Sequence, residues 1–478
     1  MNRPLYLNIG SESTMPINCV NIVFNSETNS EFDATQKIPY ADATVDGIVS
    51  GYLIEHLTQR EAMTFLRECR RVLKPGGRIR IVSSDLATLI TDCKDSQRHN
   101  SRSEMRGHAQ AGGTIEFQSV VEDDKNCAQI FYEEQLSSLA DWAGFAQATR
   151  CNQNESSDPY LRGLEAHTTP TLVMEYSKRI DVVEEDSLVS IIVPAYRAEF
   201  LTYCLESAIA QTYQHIEILI LDDCPTDEVE EISAAYARRD PRIIYCRNTP
   251  PLGEPDSLTE GIRKARGAFI KPLYDDDFLE PDAIDRLMTA LRANPDSRLA
   301  VGRRRPIDAW NKPLDDAILG PPLSLHSGLL RGTDAISQIL SSGINSLGEP
   351  TCMMFRRSDA LNIKEPNVMS LFGKLCFGVG DVCLATHLLS RGDLAYIAEP
   401  IAYFRVHPGQ TQQQRQTRER GIESWRYLRA MGSRLGFMVA PSPQTYGRQA
   451  AQSTVLFTYQ FSYAYLAYSF RAIGNASS

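Results

Sequence analysis

The feature that most restricts the fold of this chain is a regular alternation of apolar runs and amphipathic segments in its second half. Four runs have the length and composition of buried strands: LVSIIVPAY, IEILILDD, RIIYC and AFIKPLY. Segments with helical periodicity separate or follow them, such as EFLTYCLESAIAQ and PDAIDRLMTALRAN. Strands that alternate with helices at this spacing predict a mostly parallel sheet with helices on both faces. The chain is therefore expected to have an α/β fold.

A second α/β block precedes this one. Its strand-like runs are LYLNIG, CVNIVF, VDGIVS, GRIRIVS and TLVMEY. The polar segment SKRIDVVEEDS, residues 177–187, separates the two blocks, and from Gln412 the chain becomes helical and polar. Because 478 residues exceed what one hydrophobic core usually supports, we expect several domains. The predicted parts are residues 1–180, 188–411 and a helical extension over 412–478.

Charge and cysteine usage exclude several classes of protein. The net charge of -11 argues against a nucleic-acid partner, because proteins that bind phosphate backbones collect Lys and Arg. The eleven cysteines include no C-x-x-C pair, which indicates neither a zinc site nor a disulfide framework. No long apolar segment predicts export or a membrane span. We therefore expect a cytoplasmic protein with reduced thiols.

Two acidic clusters follow predicted strands. Asp222 and Asp223 come after IEILIL, and the triplet Asp275, Asp276 and Asp277 comes after AFIKPLY. In open α/β sheets ligands bind at the carboxyl ends of the strands. Adjacent buried carboxylates repel one another unless a cation neutralises them, and Mg²⁺ or Mn²⁺ prefers oxygen ligands. An acidic turn in water is the alternative, but the position of both clusters favours a metal site.

The residues around these clusters resemble the family 2 glycosyltransferases, which have the GT-A fold. The resemblance covers about residues 188–410, and Thr259-Glu260 departs from the Asn that many members carry. It implies a nucleotide-sugar donor, with a UDP-sugar expected first, and Mn²⁺ or Mg²⁺ bound by two of the three aspartates. It also assigns nucleotide-sugar contacts to Pro194, Tyr196, Asp222, Asp223 and Asp275, and metal contacts to Asp275, Asp276, Asp277 and His407 of the segment HPGQT.

The segment LFGKLCFGVGDVCLATHLLSRG resembles the part of this family that carries the general base. The family usually has Glu-Asp at the start of a helix, where this chain has Gly380-Asp381. The resemblance implies that Asp381 deprotonates the acceptor hydroxyl and that transfer inverts the anomeric centre. Alternatively, Asp381 only caps the helix VCLATHLLS.

The first block resembles the class I S-adenosylmethionine-dependent methyltransferases, which have a Rossmann-like fold. IPYADATVDGIVSGYLIEHL and LRECRRVLKPGGRIRI carry the resemblance, which covers about residues 5–178. It implies cofactor contacts at Gly10, Ser11, Asp33 and Ser50. Glu12 stands where the family usually has a further glycine, and its carboxylate would repel that of the cofactor. We therefore expect a mainly structural block; a bifunctional enzyme and a non-catalytic nucleotide-sugar-binding scaffold are the alternatives.

The chain ends in the aromatic run STVLFTYQFSYAYLAYSF. Its aromatic residues recur at helical spacing, which is typical of a helix packed on a domain or in a homo-oligomer interface. Contact with a lipid surface is the alternative. The resemblance implies a glycan or lipid-linked glycan acceptor, as in polysaccharide biosynthesis, and a cytoplasmic location that includes peripheral attachment at the inner face of the membrane.

Overall fold

The computed structural model describes residues 4–10, 19–22, 36–85, 107–109, 115–117, 131–163, 171–179, 187–410 and 415–438. The chain divides into two compact units. The first extends to Asp181 and includes Arg434–Gly436, and the second extends from Val182 to Ser433 and resumes at Phe437. Of the residues described, none lies in a helix long and apolar enough to cross a membrane.

The first unit contains a six-stranded sheet with the order β2-β1-β3-β4-β8-β7 and a separate pair, β5-β6. The strands are β1 Tyr6–Ile9, β2 Cys19–Ile22, β3 Val45–Gly51, β4 Leu73–Ser84, β5 Gly107–Ala109, β6 Ile115–Phe117, β7 Phe145–Arg150 and β8 Thr171–Lys178. The helices are α1 Gln59–Val72 and α2 Glu133–Trp142, with a 3₁₀ turn at Ile54–His56. Strands β1 to β4 run parallel, whereas β8 and β7 are antiparallel to their neighbours.

The start of α1 shows how local sequence sets an element in this unit. Thr58 accepts a hydrogen bond from the backbone N–H of Glu61, and the Glu61 carboxylate accepts one from the backbone N–H of Thr58. This reciprocal pair satisfies two helix-end donors. One face of α1 is buried, including Phe65, Leu66 and Cys69.

The second unit contains a nine-stranded sheet with the order β11-β10-β9-β12-β16-β14-β19-β13, and β15 pairs with β19. The strands are β9 Val189–Ala195, β10 Ile216–Asp222, β11 Ile243–Arg247, β12 Phe269–Pro272, β13 Phe278–Leu279, β14 Ser297–Asp308, β15 Gly328–Leu330, β16 Met353–Arg356 and β19 Asp393–Val406; β17 Ser370–Leu371 and β18 Lys374–Leu375 form a separate hairpin. The helices are α3 Leu201–Ile209, α4 Glu228–Ala237, α5 Glu254–Lys264, α6 Ala283–Ala293, α7 Gly332–Ser342, α8 Arg357–Leu361, α9 Gly380–Leu389 and α10 Arg415–Arg434, with 3₁₀ turns at Asp316–Leu319 and Pro350–Cys352.

The second sheet is mixed, so the expectation of a mostly parallel sheet was only half right. Strands β11, β10, β9 and β12, which form where the sequence predicts them, are parallel. Beyond them β16 lies antiparallel between β12 and β14. Long strands β14 and β19 are parallel to each other, whereas β13 and β15 pair antiparallel with β19. The α/β fold class itself is confirmed by both sheets and their helices.

Candidate active site

A cavity of about 440 Å³ opens at the carboxyl ends of the parallel strands in the second unit. The start of α9 and the residues after β19 also contribute to its wall. Most residues predicted to act in the glycosyltransferase block line it: Pro194, Tyr196, Asp223, Asp275, Asp276, Asp277, Asp381 and His407. Residues from five chain segments thus meet at the edge where open α/β sheets bind ligands.

Asp222 is the predicted site residue that does not line this cavity. Its side chain is fully buried at the end of β10. One carboxylate oxygen accepts a hydrogen bond from the backbone N–H of Cys224 at 2.7 Å, and the other accepts from the hydroxyl of Tyr245 at 2.6 Å. Asp222 therefore stabilises the end of β10 through these two buried hydrogen bonds. Its predicted contact with the nucleotide stays a prediction.

Asp223 lies at the cavity edge and organises the loop opposite. Its Oδ1 accepts from the side-chain amide of Asn248 and the backbone N–H of Leu252, both at 2.9 Å. Its Oδ2 accepts from the backbone N–H of Gly253 at 2.8 Å. The carboxylate thus fixes the segment 248–253, of which Gly253 lines the cavity together with Pro194 and Tyr196.

The three aspartates of the triplet differ in their partners. Asp275 accepts through Oδ2 from the backbone N–H groups of Tyr196 and Arg197, each at 2.8 Å. Asp276 lies with Oδ2 3.2 Å from Nε2 of His407. Asp277 is 2% exposed and accepts from the backbone N–H of Arg405 at 3.0 Å. Of the three aspartates, Asp276 is the one whose carboxylate contacts His407, the other predicted metal ligand.

Buried cations stand behind the triplet. Arg405 is fully buried, donates from Nε to the backbone carbonyl of Asp276 at 2.8 Å, and stacks on the ring of Phe200 at 4.3 Å. Lys271 is also fully buried, and burial lowers its pKa to about 7. Burial and then the charge of Asp276 raise the pKa of Asp275 to about 7. The triplet thus places three carboxyl groups at the cavity wall, with the buried basic side chains of Arg405 and Lys271 behind them.

The donor set fits a divalent ion completed by a ligand rather than a protein-only metal centre. Among the described residues, no three His, Cys, Asp or Glu side chains are grouped closely enough to hold an ion by themselves. Mg²⁺ in phosphate-processing sites is usually bound by one or two carboxylates, with phosphates and water as further ligands. The Asp276 carboxylate and the His407 imidazole could act as two protein ligands, with Oδ2 and Nε2 3.2 Å apart. Asp275 also lines this part of the cavity.

Asp381 is the second residue of α9. Its Oδ2 accepts from the side-chain amide of Asn345 at 2.5 Å, and its Oδ1 accepts from the backbone N–H of Val382 at 2.7 Å. The N-cap position is Val379, so Asp381 is not the capping residue. Burial, and next the charge of Glu349, raise the pKa of Asp381 to about 7. A carboxylate of this kind can accept a proton near neutral pH.

Two further acidic residues of the cavity, Glu254 and Glu349, were not predicted from the sequence. Glu254 accepts a hydrogen bond from the hydroxyl of Tyr274 at 2.6 Å, and Glu349 forms an ion pair with Arg304 at 2.7 Å. Both glutamates line the cavity. A signal for them does exist in the sequence, because each is the third residue of a tetrapeptide LGEP, which occurs at 252–255 and again at 347–350.

The predicted cofactor contacts of the first unit are described only in part. Gly10 follows β1 with φ +94°, and a Cβ there would lie 2.6 Å from Cβ of Leu53, so the position requires glycine. Ser50 is buried in β3. Ser11, Glu12 and Asp33 lie outside the described residues, as does the aromatic run at the C-terminus.

Comparison with known proteins identifies both blocks. Residues 190–361 match the family model of glycosyl transferase family 2, and residues 22–81 match a methyltransferase domain. Chondroitin synthase from Escherichia coli is 35% identical over 106 residues, which are 22% of this chain and 15% of that protein. Glycosyltransferase GlyG from Streptococcus pneumoniae is 34% identical over 101 residues, 21% of this chain and 34% of that protein. The chain thus spans about a third or less of the length of these curated relatives.

Among solved structures, S. aureus TarS 1-349 in complex with UDP-GlcNAc superposes with a TM-score of 0.41 at 13% identity, over 57% of this chain and 73% of that one. The two family matches confirm the resemblances that the sequence motifs carry. The chain thus carries a segment that matches a methyltransferase domain, followed by a segment that matches glycosyl transferase family 2, in two α/β units.

Proposed function

We propose that the second unit transfers a sugar, with inversion, from a nucleotide-sugar donor to a hydroxyl group of a glycan acceptor, and that it uses a divalent metal ion. The observation that carries this proposal is the convergence of two kinds of group in one cavity. Asp276 and His407 lie on one part of its wall, and Asp381 lies on another. Glycosyl transfer needs both, because charge develops on the leaving diphosphate while the acceptor hydroxyl loses a proton.

The donor side uses the triplet and the edge around Asp223. Asp276 and His407, with Asp275 beside them, would hold Mn²⁺ or Mg²⁺ against the diphosphate. The ion would supply positive charge that offsets the charge on the leaving group. Asp277 supports this edge through its bond to Arg405, and the nucleoside would lie along Pro194, Tyr196 and Asp223. A UDP-sugar is the donor we expect first.

The acceptor side uses Asp381. Its carboxylate takes the proton of the acceptor hydroxyl, whose oxygen attacks the anomeric carbon opposite the leaving diphosphate, so the configuration inverts. A pKa of about 7 suits a general base, because about half of the group is ionised near pH 7 and the carboxylate is basic enough to take the proton. Asn345, which donates to Oδ2, holds the carboxylate in place.

The test is release of nucleotide and formation of glycoside by the full chain with Mn²⁺ and a panel of nucleotide sugars, each with glycan acceptors. Asp381→Asn and Asp276→Asn should each lower turnover by about 10²-fold or more. Asp334→Asn is the matched control, because Asp334 is an exposed aspartate in the first turn of α7. Binding of nucleotide sugars without turnover in wild type would refute transfer and support the scaffold alternative.

Methyl transfer by the first unit is the second candidate. It is favoured by the methyltransferase match over residues 22–81 and by the position of Gly10, which only glycine fits. A competent site should bind S-adenosylhomocysteine with micromolar affinity, which is about 8 kcal/mol. We expect weaker binding, because Glu12 adds a negative charge beside the predicted cofactor contacts. Calorimetry on the full chain decides between a bifunctional enzyme and a mainly structural first unit.

Acceptor class and location are further proposals that rest on the family resemblance. A glycan or lipid-linked glycan is the acceptor we propose, with the enzyme in the cytoplasm or at the inner face of the membrane. Peripheral contact or a homo-oligomer interface through the aromatic C-terminal run stays a prediction, because that run lies outside the described residues.

A further inference from the structure

The two copies of the tetrapeptide LGEP, at 252–255 and 347–350, have similar local structures. In each copy the glycine has a positive φ, +79° at Gly253 and +95° at Gly348, a conformation that other residues rarely adopt. The following glutamate then lines the cavity, and the proline enters a helical turn, α5 in the first copy and a 3₁₀ turn in the second. Two segments far apart in the chain thus deliver a carboxylate to the same space.

Both carboxylates are held in place by a partner. Glu254 accepts from the hydroxyl of Tyr274 at 2.6 Å. Glu349 pairs with Arg304 at 2.7 Å, and Arg304 is 9% exposed with its guanidinium 5.7 Å from the ring centre of Phe404. Arg304 supports Glu349 but is not among the residues that line the cavity. The face presented to a ligand is therefore the carboxylate and not the guanidinium.

The two glutamates share the cavity with the proposed metal ligand Asp276 and with the proposed general base Asp381. Glu349 is 9% exposed, and burial is the main cause of its raised pKa, to which the charge of Asp276 adds, whereas Glu254 lines the cavity as an exposed side chain. Both glutamates in turn contribute to the raised pKa of Asp381, again after burial. Glu254, Glu349, Asp276 and Asp381 line the same cavity, so a sugar held between the diphosphate edge and the general base would lie near the two glutamates.

Positive charge is confined to another part of the wall. Among the described residues that line the cavity, Arg197 is the one arginine, and there is no lysine. Its backbone N–H donates to Asp275, and its guanidinium lies against Gly409 near His407. These positions belong to the diphosphate edge. A carboxylate on the sugar ring would meet like charge at Glu254 and Glu349, and in the described part of the chain Arg197 is the one cation of the lining itself. This repulsion is screened by solvent at the exposed Glu254 and partly balanced at Glu349 by Arg304 behind the wall.

We propose that the transferred sugar is uncharged, a hexose or an N-acetylhexosamine whose hydroxyl or amide hydrogens are donated to Glu254 and Glu349, and that uronic acids and sialic acids are rejected. The inference rests on the proposed glycosyl transfer and specifies its donor. It follows from the placement of two carboxylates in the cavity wall, Glu254 bonded to Tyr274 and Glu349 paired with Arg304, whereas Arg197 is the one cation among the described lining residues.

The test uses the full chain with Mn²⁺ and paired donors that differ only at C6: UDP-glucose with UDP-glucuronic acid, and UDP-galactose with UDP-galacturonic acid. UDP-N-acetylglucosamine, GDP-mannose and CMP-sialic acid complete the panel. We expect neutral donors to exceed acidic ones at least 100-fold in kcat/KM for nucleotide release. Preference for an acidic donor would overturn the inference while leaving glycosyl transfer intact, whereas no binding or turnover of any donor would overturn both.

Two variants test the residues themselves. Glu349→Gln and Glu254→Gln should each lower the neutral-to-acidic ratio at least tenfold, because each removes one repelling charge, and each should raise KM for the neutral donor. Glu254→Gln is included because Glu349→Gln removes the ion-pair partner of the buried Arg304. Asp334→Asn, exposed and distant in sequence, should leave the ratio unchanged. An unchanged ratio in a folded glutamine variant would refute recognition by these carboxylates.

Discussion

Replacement of Asp381 by Asn should have two opposite effects, a loss of turnover and a gain in stability. Asn keeps the size of the side chain and an oxygen that can accept from Val382, but it removes the charge and loses the bond from the Asn345 amide, which offsets part of the gain. Because burial raises the pKa of Asp381 in the folded state, the folded protein binds this proton more tightly than the unfolded chain. The resulting stabilisation is complete below about pH 4 and is lost as the pH rises through about 7.

The size of the gain follows from the same shift. A pKa that moves from 3.8 to about 7 corresponds to at most about 4 kcal/mol above pH 7. The carboxylate is half-buried at the cavity wall, where water screens part of this cost, so we expect about 1–2 kcal/mol at pH 8. That corresponds to roughly 2–8 °C in the unfolding midpoint of a unit of this size. The gain should shrink as the pH falls from 8 to 5.

The assay combines thermal unfolding at pH 5 and pH 8, without added metal or donor, with turnover across the same range. Wild-type turnover should rise through about pH 7, whereas Asp381→Asn should retain about 1% or less without that rise. Asp334→Asn, at a matching helix position, should change stability by about 0.5 kcal/mol or less and leave turnover unchanged. Lower stability of Asp381→Asn at pH 8, or wild-type turnover, would refute the reasoning.

Two other predictions concern contacts in the second unit, and one concerns cofactor binding by the first. Asp276→Asn should abolish Mn²⁺-dependent donor binding, measured by calorimetry, because it removes the carboxylate beside His407; undiminished binding would contradict its role. Gly348→Ala should destabilise the second unit by about 1–3 kcal/mol in thermal unfolding, because φ is +95° and the new Cβ would lie 2.6 Å from Nη1 of Arg304; wild-type stability would contradict this. S-adenosylhomocysteine should bind the full chain more weakly than micromolar in calorimetry, and one-to-one micromolar binding would reverse our preference for a structural first unit.

The sequence predicts the parallel half of the second sheet well and the mixed half poorly. The buried strands β9 and β10 are continuous apolar runs, which identify themselves by composition. Strand β14 reads SRLAVGRRRPID, with three adjacent arginines that resemble a surface segment. Arg304 is nevertheless buried, because Glu349 pairs with it from a segment 45 residues later. A pairing of this kind depends on the tertiary structure and leaves no local pattern.

The candidate site likewise contains residues that the sequence predicts and residues that it does not. The acidic clusters were predicted from their positions after strands, and Asp381 was predicted from the family resemblance; Asp223, the triplet and Asp381 line the cavity. The sequence grouped Asp222 with Asp223, and the structure separates their side chains at the end of β10. Asp222 points inward to Tyr245 and Asp223 outward to the loop at Gly253. Glu254 and Glu349 were missed because a glutamate before proline is typical of an exposed helix start.

The charge of the cavity predicts that the proposed nucleotide-sugar donor and the proposed metal ion bind together. Seven carboxylates line it: Asp223, Glu254, Asp275, Asp276, Asp277, Glu349 and Asp381. The arginines that balance part of this charge, Arg304 and Arg405, lie behind the wall, so a ligand meets the acids first. A bare nucleotide diphosphate is itself negative and would be repelled, whereas the same diphosphate with a divalent cation is nearly neutral. Nucleotide binding measured in a metal chelator should therefore be weak, and tight binding there would show that Arg197 and the backbone N–H groups suffice to hold the diphosphate.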